Sequence, residues 1–119
     1  MDQLDIQLEE DRTIFKPGES LTGRASWYLE KEPKAARVRL FWYTMGKGTE
    51  DSQVADVVIF DKPMQQDNRS FRFTLPIAPY SFSGTLISLK WGVELDIKGN
   101  KEVCTKEFAL TPFEKEIIL

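Results

Sequence analysis

The chain has 119 residues, 41% of them hydrophobic and 12% aromatic, with a formal net charge of −3. This length suits one domain with a real core, and so small a charge gives no global pull toward nucleic acid or an anionic membrane. Histidine is absent and Cys104 is the lone cysteine, which removes the commonest general base, the usual Ser-His or Cys-His partner, the commonest transition-metal ligand and any intrachain disulfide.

The N-terminus, Met1-Asp2-Gln3-Leu4-Asp5, lacks the basic start and apolar core of a signal peptide. No apolar run approaches the roughly 20 residues of a membrane span. A cytoplasmic location is the expectation, against the alternative of a mature secreted chain with an added Met. From there on the pattern has period two. Leu4, Ile6 and Leu8 alternate with Asp5, Gln7 and Glu9. Pro17-Gly18 predicts a type II turn, because Pro fixes φ and Gly accepts a positive φ.

Leu21, Gly23, Ala25, Trp27 and Leu29 share one parity of the next strand. A polar loop follows at Lys31-Glu32-Pro33-Lys34. Val38, Leu40 and Trp42 then alternate with Arg37, Arg39, Phe41, Tyr43 and Met45, and Gly46 to Ser52 reads as a second polar loop. Val57-Val58-Ile59-Phe60 is a continuous apolar run, predicting a strand with a bulge. Phe71, Phe73 and Leu75 alternate with Arg72 and Thr74; Leu89, Trp91, Val93, Leu95 and Ile97 with Lys90, Gly92, Glu94 and Asp96. Gly99-Asn100 predicts a two-residue hairpin into a last long strand, Val103 to Leu110. The tail 114–119 reads as a short extra strand or a loose end. About seven or eight strands, with a turn every ~8–12 residues, predict an all-β antiparallel sandwich of immunoglobulin-like type.

Three blocks, in order, resemble the arrestin-like superfamily. The first is Ile14-Phe15-Lys16-Pro17-Gly18-Glu19-Ser20-Leu21-Thr22-Gly23. The second is Phe71-Arg72-Phe73-Thr74-Leu75-Pro76 followed by Pro79-Tyr80-Ser81-Phe82-Ser83-Gly84. The third is the strand from Ile87 to Asp96 with Trp91 at its centre. The resemblance implies an arrestin-like β-sandwich over residues 1–119 and a scaffold or adaptor role. Arrestins, the retromer subunit of this fold and bacterial sporulation-control proteins carry two such sandwiches in tandem, whereas these residues hold one. The family's interdomain activation switch and the Pro-Pro-x-Tyr motifs of its ubiquitin-ligase adaptors are therefore not carried over.

The chemistry on offer is thin. Glu94 and Asp96 read as a solvated strand face, or else as an acid/base pair or cation site. Cys104 reads as an inert strand thiol; as a nucleophile it has no histidine to activate it. Ser81 and Ser83 lack any base. Trp27, Trp42 and Trp91 share the apolar parity and read as core; a sugar-stacking platform needs them exposed. No catalytic residue, metal site or cofactor is expected. The residues singled out for binding are Arg37, Arg39, Phe41 and Tyr43 on one side of the strand at 36–45, joined by Arg72; these types are enriched at interfaces. Segment 49–62 is the candidate to cover Phe41 and Tyr43. Arg24, Arg69 and Lys90 are candidates to widen a basic surface. The expected role is non-catalytic binding of a protein partner through a sheet face or an open edge. The alternatives are a self-associating homo-oligomer such as a homodimer, and a carbohydrate-binding sandwich.

Overall fold

A computed structural model describes residues 2–46 and 50–119. Ten strands follow in chain order: β1 (Gln3–Leu8), β2 (Ile14–Phe15), β3 (Ser20–Tyr28), β4 (Ala36–Gly46), β5 (Ser52–Phe60), β6 (Gln66–Thr74), β7 (Phe82–Ser83), β8 (Ile87–Ile97), β9 (Cys104–Leu110) and β10 (Ile117–Ile118). The expected polar loop after β4 falls partly on Lys47, Gly48 and Thr49, outside the described residues. The seven long strands pair antiparallel. The two-residue strands add two parallel contacts, β2 with β9 and the C-terminal β10 with β7.

The strands form two sheets. The smaller runs β1-β3-β6; the larger runs β5-β4-β8-β9, with β7 lying beside β8 at Leu89. Where the sheets face each other, β1 meets β9 on one side and β5 meets β6 on the other. Alternation decides what lies between them. Ile6, Leu8, Leu21, Ala25 and Trp27 come from the smaller sheet, with Phe71 and Phe73. Val38, Leu40, Trp91, Val93, Leu95 and Phe108 come from the larger. Trp27 and Trp91 are buried, and their indole N–H groups donate to the carbonyls of Met64 and Pro79 at 2.7 and 2.8 Å. Trp42 is only half-buried, packed at the margin of the core.

The blocks that carry the family resemblance have physical jobs. Glu19 N–H donates to the Lys16 carbonyl at 3.1 Å, closing the predicted turn with Gly18 at φ +78. Leu75 N–H donates to the Glu19 carbonyl and Gly18 N–H to that of Leu75, which ties the turn to the end of β6. The Glu19 carboxylate accepts from Arg12 at 2.8 Å and from Lys16 N–H at 2.9 Å. The Arg12 hydrogen bond, then that backbone bond, hold the Glu19 carboxyl below its ordinary pKa. In the second block, Ser81 exchanges hydrogen bonds with Leu110: its N–H donates to the Leu110 carbonyl at 2.7 Å, and its hydroxyl oxygen accepts from Leu110 N–H at 2.8 Å.

One expected turn differs. The two-residue Gly99-Asn100 hairpin is replaced by a turn from Ile97 to Asn100, closed by Asn100 N–H to the Ile97 carbonyl at 3.0 Å, and β9 begins only at Cys104. Asn100 is occupied as a loop organiser: its side chain accepts from Glu102 N–H and donates to Asp2.

Candidate interaction surface

The outer face of the larger sheet is set by register. Arg37 lies between Ile59 on β5 and Asp96 on β8. Arg39 lies between Val57 and Glu94, Phe41 between Val54 and Gly92, and Tyr43 between Ser52 and Lys90. Residues 52–60 thus form a neighbouring strand and do not cover Phe41 and Tyr43. The strand containing Val57–Phe60 has a bulge, placed just before that run: Leu40 faces Asp56 while Phe41 faces Val54, leaving Ala55 extra.

The charges on this face satisfy one another. Arg37 Nε donates to Asp96 Oδ2 at 3.0 Å. Arg39 donates to Glu94 and lies 3.8 Å from Asp96. Glu94 and Asp96 thus lie partly exposed on the outer strand face, as expected, with arginines as their partners. Phe41 lies against Gly92, where an added Cβ would sit 3.2 Å from the ring. It stacks on Tyr43 with centroids 5.9 Å apart and an interplanar angle of 23°. The Tyr43 hydroxyl donates to the Glu107 carboxylate on β9. That bond, burial and the carboxylate's charge together push its pKa up to about 12.

With the charges paired, apolar surface is what remains. Met45 and Val54 are each 49% exposed and Ile59 73% exposed, with Val57 beside them. The sequence reading missed Val54, Val57 and Ile59 as surface residues. The available signal was the failure of the 57–60 run to alternate, with Asp56 just before it.

Arg72 is not on this face. It lies on β6 in the smaller sheet and donates to Ser20 Oγ at 2.9 Å. Arg24 and Arg69 also belong to that sheet and pair with Asn68 and Asp67. Lys90 alone shares the larger sheet, held by Glu116 and Ser83 at 3.0 and 3.1 Å. Arg24, Arg69 and Arg72 therefore do not join Arg37 and Arg39 on one surface. Cys104 is half-buried, and burial before all else pushes its thiol pKa up, which keeps the sulfur in its unreactive form. Among the described residues no group of three His, Cys, Asp or Glu is placed to hold a metal ion, and no helix is long and apolar enough to cross a membrane.

No family model matches the sequence, and no curated protein matches it. Solved structures do. The sporulation control protein Spo0M of Bacillus subtilis superposes with a TM-score of 0.64 over 92% of this chain, at 18% identity. The chain shares the β-sandwich fold of the Spo0M segment it superposes on. It spans about half of the Spo0M chain, 49% of its length. A mutant β-glucosidase of Listeria innocua, solved with laminaribiose, matches with a TM-score of 0.52 over 98% of this chain but 16% of its own, at 10% identity. Identities this low establish a shared fold and nothing further.

Proposed function

We propose that this arrestin-like sandwich is a non-catalytic protein-interaction domain, of adaptor or scaffold type, that binds a protein partner through the outer face of its larger sheet. One observation carries the reading. Phe41, Tyr43, Met45, Val54, Val57 and Ile59 lie on one solvent-facing surface whose neighbouring charges are already paired. Such a face gains by burying apolar area and has little charge left to donate. The arginines matter by holding the sheet face in order; the aromatic and aliphatic groups make the contact. A cytoplasmic setting fits the lone cysteine.

The carbohydrate alternative depended on tryptophans that are buried or half-buried. A homo-oligomer paired through the β5 edge would bring the Asp51 and Asp56 carboxylates of two copies together, which disfavours that form of the alternative.

The test is affinity capture from the native host's lysate, with crosslinking, comparing three forms. Phe41→Ala combined with Tyr43→Ala reduces the recovered partner at least several-fold, by analogy with truncated interface anchors. Arg72→Ala on the opposite sheet retains it. Equal recovery by both variants contradicts this surface.

A further inference from the structure

β5 pairs with β4 on one side and with no strand on the other among the described residues. One hydrogen bond fixes the direction of its backbone groups. Thr44 N–H donates to the Asp51 carbonyl at 2.8 Å, so that carbonyl points toward β4. In an extended chain the next N–H points the opposite way, so Ser52 N–H faces the open edge. Alternation brings Val54 N–H to the same edge. The bulge at Ala55 then shifts the phase by one residue and brings Val57 and Ile59 N–H there as well.

Two of these four donors are taken by carboxylates. Asp51 Oδ1 accepts from Ser52 N–H at 2.9 Å, and Asp56 Oδ1 accepts from Val57 N–H at 2.8 Å. Each carboxylate occupies the place an incoming carbonyl must take. Charges and bulges are how native edges resist indiscriminate pairing, and a negative guard is also selective. A partner that brings a cation opposite Asp51 or Asp56 draws the carboxylate aside and exposes the N–H; a neutral or acidic strand does not. Glu50 and Asp61 flank the strand in sequence, while the nearby Arg37, Arg39 and Arg69 are already paired with Asp96, Glu94 and Asp67.

Parity then specifies the partner. Val54, Val57 and Ile59 project on the outer face, and Asp51 and Asp56 on the other, where β5 stays exposed from Ser52 to Val57. We propose that the β5 edge accepts an extended segment of a partner protein in which apolar residues alternate with lysine or arginine. Its apolar side chains continue the row of Val54, Val57 and Ile59. Its cations pair with Asp51 and Asp56 and free the Ser52 and Val57 N–H groups for a new ladder. This rests on the interaction reading above and gives the partner's chemistry.

The probe is a fluorescein-labelled peptide of alternating Val and Lys, about the length of β5, compared with its Val-Glu counterpart and with an alternating Gly-Lys peptide. Fluorescence anisotropy gives affinities, and amide spectra of ¹⁵N-labelled protein locate binding. The Val-Lys peptide binds roughly tenfold tighter than Val-Glu. It shifts the amides of Ser52, Val54, Val57 and Ile59 more than those between them. Asp56→Asn narrows the preference by about two- to fivefold, the range of one exposed ion pair.

Equal binding of Val-Lys and Val-Glu, equal binding of Gly-Lys, or an unchanged preference in Asp56→Asn overturns the proposal. So do shifts confined to other strands. If β5 stays silent while Phe41→Ala with Tyr43→Ala still abolishes capture, strand addition fails and the sheet-face reading stands.

Discussion

Tyr43 is where the candidate surface is most tightly specified. Its hydroxyl donates to Glu107, 64 residues away in sequence, and its ring stacks on Phe41. A phenol that donates to a carboxylate prefers to keep its proton. Its folded pKa of about 12 stands above the ordinary 10.0, so the stability this bond contributes is fully present below pH 10 and is lost as pH rises toward 12. Ultraviolet titration of Tyr43 should show this raised transition, and Glu107→Gln should bring it down toward 10; a wild-type Tyr43 that titrates at 10 contradicts the bond. The sequence made the side of β4 that carries Tyr43 legible, because alternation fixes parity. Glu107 was not legible, because strand order alone brings β9 within reach. The placement of Arg72 on the other sheet was hidden for the same reason: its outward parity could be read, but not its sheet.

At the scale of elements, the blocks that carry the resemblance prove to be joints between strands. Gly23 closes the first block because β3 there runs against both neighbours. A Cβ at this position would lie 2.7 Å from the Phe71 ring and 2.8 Å from the Gln7 carbonyl. Gly23→Val should therefore cost about 1–3 kcal/mol of stability through overpacking, read as a lowered denaturation midpoint in urea. An unchanged midpoint contradicts the close approach. Interior strands were legible because one face of each is buried. β5 resisted reading because it is an edge strand exposed on both faces along most of its length. The same position leaves its backbone donors open and makes Asp51 and Asp56 guards. The Gly99 turn departed from expectation because Asn100 binds Asp2 and Glu102 instead of turning the chain directly.

The whole molecule measures 45 × 31 × 20 Å. Its asymmetry comes from three long strands facing four, so the far end of β4 and most of β5 extend past the smaller sheet's cover. Trp42, on the inner face, is half-buried for this reason, although its strand begins in the core at Ala36 and Val38. The sandwich itself was legible in alternation, turn chemistry and the three ordered blocks. The overhang was not, since no local pattern encodes the relative widths of two sheets. That overhang, apolar on its outer face and acid-guarded along its edge, is the central claim about function. Site-specific photo-crosslinking in the native host tests it most directly, with one photoreactive residue placed at Val54 on the overhang and another at Ser70 on the smaller sheet. The account predicts a discrete protein adduct from position 54 that Phe41→Ala with Tyr43→Ala abolishes, and none from position 70. An adduct from position 70, with none from position 54, contradicts it.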